Sequence, residues 1–181
     1  MKRAVLAVLA GSVIVAFVVG RGQAQAPARG AAAGTTSPRI EANLAQLMRG
    51  TLYPASNVVF AAQDVNPADI PRAKDPNMAT DLLTTVYGKW DAVENSALAL
   101  AEVANLLTLP GRKCSNGVDV PIHNADWGKF VQELRDAGMT AYAAAQTKNQ
   151  DKMTDAAGVI TTACGDCHAR YREKKPADRC K

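Results

Sequence analysis

Residues 150–173 read QDKMTDAAGVITTACGDCHARYRE. Met153, Ala157, Ile160, Thr161, Cys164, Cys167, His168 and Tyr171 recur in it at helical steps, so the spacing predicts a helix with one inward face. A lone amphipathic helix needs partners, and three more segments carry the same period. From Arg39 to about Gln63, Ile40, Leu44, Leu47, Met48, Leu52 and Ala55 form a stripe, opened by Ser37-Pro38 and interrupted by Pro54, which is expected to kink or split the helix. A second helix is expected from about Ala79 to Leu107, with Leu83, Val86, Trp90, Val93, Ala97, Leu100, Ala101, Ala104 and Leu107 on one side. Pro110-Gly111 ends it. A third runs from about Ala125 to Thr147 behind the cap residue Asn124 and buries Trp127, Phe130, Val131, Leu134, Ala137, Ala141 and Ala145. The Pro-rich stretch 64–77 and the stretch 111–124 read as loops. Runs of β-branched residues are short, so no sheet is expected. Four amphipathic segments in roughly 135 residues predict an all-α, antiparallel four-helix bundle.

The chemistry of the last segment lies in Cys164-Gly165-Asp166-Cys167-His168, a Cys-x-x-Cys-His pattern that reads as the attachment site of a c-type haem. Two thiols three residues apart can form thioethers to the two vinyl groups of one porphyrin, and the adjacent imidazole can reach the iron from one face. On a helix, positions i, i+3 and i+4 point at the same object. Three other chemistries share parts of the pattern. A thioredoxin-like dithiol sits at the start of a helix in a βαβ setting, and no strand is expected nearby. A zinc site would need a further ligand, most obviously Cys114 or Cys180. A plain Cys164–Cys167 disulfide is the third. No nucleophile with its base, no phosphate loop and no carboxylate pair stands out, so no enzyme activity is expected.

The run Cys164-Gly-Asp-Cys-His168-Ala-Arg-Tyr171-Arg172 resembles the end of the cytochrome c′ family, the class II c-type cytochromes, in which the haem motif closes the last helix of a four-helix bundle. The likeness covers residues 39–175 in the order and number of helices, and its specific part is the last dozen. No methionine follows His168, which rules out the arrangement of the small cytochromes with an N-terminal motif. The resemblance implies one covalent haem c held by Cys164 and Cys167, with His168 as an iron ligand. It places Met48, in Leu47-Met48-Arg49, over the other face, where family members carry either a methionine ligand or a bulky group that blocks the iron. It also implies that Tyr171 and Arg172 pack near the haem. Met153 is 15 residues before His168 on the same helix, roughly 22 Å along the axis at 1.5 Å per residue, and cannot reach the same iron. The family often has an arginine one turn before the Met48 position. Leu44 stands there, so propionate pairing would fall to Arg39 or Arg49. His123 reads as an exposed loop residue. With two thiols assigned to haem, Cys114 and Cys180 remain for a disulfide tying the loop to the tail.

The implied function is electron transfer, with redox proteins as partners. The alternative is a five-coordinate haem that binds NO or CO at a crowded distal site. Bundles of this family often pair as homodimers through their first two helices.

The 181 residues carry 21 Lys+Arg against 17 Asp+Glu, a net charge of +4. That excess lies at the two ends, and residues 27–169 hold 12 bases and 15 acids, a net of −3. No basic patch runs through the body, which excludes a nucleic-acid binder. Residues 1–26 have the order of a secretory signal peptide: Lys2 and Arg3, an apolar run from Ala4 to Val19, then small residues with cleavage after Ala24 or Ala26. Residues 27–38 read as a flexible leader and 39–181 as the cytochrome bundle. Export implies a periplasmic protein. Only nine of its residues are Phe, Trp or Tyr, which leaves the core to Ala, Leu and Val, or to something that is not a side chain.

Overall fold

The computed structural model describes residues 37–172 and 180. The expected signal peptide, the leader up to residue 36 and tail residues 173–179 and 181 lie outside the described residues. The chain is an all-α four-helix bundle. Its first helix is made of three continuous pieces, α1 (Leu44–Leu47), a π turn (Met48–Leu52) and α2 (Tyr53–Asp64). It is followed by α3 (Trp90–Leu106), α4 (Ala125–Gln146) and α5 (Gln150–Tyr171). α2 packs on α3 and α5, and α4 packs on the same two, so the ring of four closes. Among the described residues no strand forms, only one isolated antiparallel bridge, Lys113 with Asp119. No described helix is long and apolar enough to cross a membrane.

The first helix starts later than Ser37-Pro38 suggests. Asn43 Oδ1 accepts a hydrogen bond from the Gln46 backbone N–H and Gln46 Oε1 accepts one from the Asn43 backbone N–H, both at 2.9 Å. This reciprocal cap satisfies two end donors at once and sets the start at Leu44. Pro54 does not split the helix. It lacks an N–H, and the turn ahead of it widens so that Tyr53 N–H reaches the Met48 carbonyl, five residues back. The widening has a consequence for the site. In a regular α-helix, at 3.6 residues per turn, Leu44 and Phe60 would stand roughly 160° apart. Instead Leu44, Met48, Leu52, Ser56 and Phe60 all face one cavity.

The second helix also starts later, at Trp90 rather than near Ala79. Leu82–Thr84 makes only a short 3₁₀ turn, and the chain then reverses at Gly88-Lys89. Lys89 adopts φ 62°, and a Cβ on Gly88 would lie 2.3 Å from the Leu83 carbonyl oxygen. Helical periodicity cannot register a reversal of this kind, because Leu83 is still buried from within the loop. α4 and α5 begin at Ala125 and Gln150 as expected and end within two residues of expectation. They are joined by Thr147, Lys148 and Asn149, a connection short enough to force neighbouring antiparallel helices. Asn149 caps α5 through the Lys152 N–H at 3.0 Å. Asn124 does not cap α4, and its side chain is committed elsewhere.

The loop after α3 is built as a floor. Arg112 is buried and donates to the carbonyls of Ala42 and Leu106, and burial lowers its pKa. Leu44 N–H donates to the Lys113 carbonyl at 2.9 Å. Cys114, also buried, forms the expected disulfide with Cys180, Cα to Cα 4.8 Å. The bridge closes a separation of 66 residues.

Candidate haem site

The C-terminal half of α5 faces a cavity of about 770 Å³, within the roughly 300–1,000 Å³ usual for ligand pockets. All four helices contribute to its walls. Cys164, Cys167, His168, Tyr171 and Arg172 come from α5 and its end, and Met48 comes from the π turn of the first helix. Every site residue expected from the sequence therefore meets in one place. Arg49 lines it too, whereas Arg39 is exposed, pairs with Glu41 at 3.0 Å and takes no part. His123 is exposed and is not among the lining residues.

Cys164 and Cys167 are half-buried free thiols, so they are not bridged to each other. Cys114 and Cys180, the cysteines a zinc site would have recruited, are bonded to one another. Burial raises the Cys164 pKa. Cys167 is pushed up to about 11, first by burial, then by Cys164 and the carboxylates of Asp126 and Glu133. Dithiol redox centres need the opposite, an attacking thiol with a depressed pKa. Both thiols stay protonated at neutral pH, which counts against that chemistry.

The lining tests the fit of a haem. Five of the nine Phe, Trp and Tyr residues, namely Tyr53, Phe60, Trp127, Phe130 and Tyr171, line this one cavity. Leu44, Leu52, Leu100, Leu107, Val131 and Leu134 add aliphatic wall. Two arginines line it and no acidic residue does. A large flat apolar ring with two carboxylates, held by two thiols and an imidazole, matches this donor set and wall composition. His168 and Met48 would offer donors to its iron, and Arg49 and Arg172 would offset the charge of its carboxylates.

Beside the motif lies a group of contacts that the sequence does not announce. Tyr171 is buried, and its hydroxyl donates to Asp126 Oδ1 and accepts from Asn124 Nδ2 at 3.3 Å. Arg170 Nε donates to Asp126 Oδ2 at 2.6 Å. The hydrogen bonds from Tyr171 and Arg170 hold the Asp126 carboxyl below its ordinary pKa. Burial and the bond to that carboxylate push the Tyr171 phenol up. Trp127, at 5.0 Å between ring centroids, meets Tyr171 edge to face and anchors its own Nε1–H on the Leu107 carbonyl at 3.0 Å. Asp126 and Asn124 are 45 and 47 residues from Tyr171, so no local pattern could have linked them. Comparison of the chain with protein-family models, with curated proteins and with solved structures returns no match.

Proposed function

We propose that the chain is an exported c-type cytochrome that carries one covalent haem on Cys164 and Cys167 and passes electrons between redox proteins. One observation carries the reading: the two thiols and the imidazole of His168 line the same cavity as the Met48 thioether. The bound haem supplies a one-electron couple. His168 and Met48 would offer its iron neutral nitrogen and sulfur donors, and a thioether donor raises the reduction potential. The apolar wall keeps water out, and the arginines offset the propionates. The Cys114–Cys180 disulfide supports an oxidising compartment, in keeping with the signal-like residues 1–26 and a periplasmic location. The family likeness adds a homodimer, and the absence of a basic patch in the sequence argues against nucleic acid as a partner.

Purified exported protein should show a mass increase of about one haem that survives denaturation. Free thiols at Cys164 and Cys167 in that protein would sink the proposal. A second reading, a five-coordinate haem that binds NO or CO, draws on the apolar surroundings of Met48, since Leu44, Leu52 and Phe60 suit a small apolar gas. The ferrous spectrum separates the two. Sharp low-spin bands are expected if Met48 ligates, with Met48→Ala turning them high-spin. Broad bands that shift on adding CO in the wild type would favour the second reading.

A further inference from the structure

We infer that Asp126 is a positioning residue for the haem-attachment turn: together with Arg170 it fixes the Tyr171 ring beside His168 and sets the charge felt at the iron. The inference rests on the haem reading above. Tyr171 comes three residues after His168 and lines the same cavity, so any movement of its ring changes the wall that meets the porphyrin on that side. The ring is held by several partners. Its hydroxyl lies between Asp126 and Asn124. Trp127 and Phe130 pack against it edge to face, with centroids 5.0 and 6.1 Å away and ring planes at 69° and 90°. The Arg170 guanidinium carbon is 5.4 Å from its centroid.

Asp126 is the hub of this arrangement, because it alone binds both Tyr171 and Arg170 and ties the first turn of α4 to the last turn of α5. Its place in the first turn of α4 favours the ionised carboxylate. The result is a fixed negative charge and a fixed positive charge at the turn of α5 that carries His168, and the Asp126 carboxylate is close enough to act on the Cys167 thiol. Loss of an electron leaves the iron site more positive, so a nearby carboxylate favours the oxidised state and a nearby guanidinium the reduced one.

The test is a redox titration of the holoprotein as wild type, Asp126→Asn, Arg170→Gln and the double variant, with haem content measured in each. Asp126→Asn should raise the potential and Arg170→Gln should lower it. Each change should be about two- to fivefold in the redox equilibrium constant, as expected for partly exposed charges. At about 59 mV per tenfold, that is roughly 18–41 mV. The double variant should return near the wild type. Loosened packing alone would move both single variants in the same direction. Shifts of the same sign, or shifts below twofold with haem retained, would overturn the inference and leave the cytochrome reading standing. A wild-type protein without covalent haem would remove both.

Discussion

The two ends of the bundle use the same four helices in opposite ways. At one end Val59, Ala62, Val93, Ala97, Ala141, Ala145 and Met153 are wholly buried, and small residues let the helices close on each other. Gly138 marks a close approach of α4 to α3, since a Cβ there would lie 2.8 Å from the Ala101 nitrogen and 3.0 Å from the Ala97 carbonyl oxygen. At the other end the side chains are larger and most of the aromatic rings collect, yet the helices stand around a cavity of about 770 Å³. The stripe of α5 passes from one end to the other without a change of period. Periodicity identifies an inward face, and what fills the inside is decided by how far the neighbouring helices stand away.

The largest effect should come from the strap at the open end. Removing the disulfide with Cys114→Ala and Cys180→Ala should cost about 4 kcal/mol on the loop-closure argument for this separation, read as a lower urea midpoint. If the two ends are as distinct as their packing, hydrogen exchange should rise first around the cavity and last around Met153. At the closed end, Gly138→Ala should cost about 1–3 kcal/mol, because the added methyl meets backbone rather than a movable side-chain tip. It should leave haem attachment intact, and loss of haem from this variant would break the division between the ends. Asn43→Ala removes the cap that starts the first helix and should cost about 1 kcal/mol, with thermal unfolding as the measure.

The smallest effect is a pH dependence. The folded pKa of Asp126 is depressed, so its contribution to stability is present above the unfolded value, about 3.9, and is lost as pH falls through the folded one. Wild type should therefore lose stability below about pH 4 more steeply than Asp126→Asn. Parallel acid titrations of the two urea midpoints would refute this.

Much of the molecule was legible because its signals are local. The Cys-x-x-Cys-His motif is five consecutive residues, and the starts of α4 and α5 coincide with Asn124 and Asn149 at turns between strong apolar stripes. Where the stripe ran on through a non-helical stretch, as at Leu83, the reading extended α3 too far. The Asn43 and Gln46 cap was visible in principle, as a side-chain acceptor followed three residues later by glutamine. The width of the turn before Pro54 was not visible, because a proline can kink, split or widen a helix and the choice depends on what the helix packs against.

By itself the sequence determined the helical class, the thiol pair with its adjacent imidazole, and the even remainder of cysteines, all of which follow from residue spacing along one chain. Met48 became a candidate through likeness alone. Only the tertiary structure brought Met48 into one cavity with His168, joined Cys114 to Cys180, gathered five aromatic rings at that cavity and set Asp126 against Tyr171 and Arg170. Those pairings link residues 44 to more than 100 positions apart, and their geometry is set by helix packing distances and turn widths that no local pattern encodes.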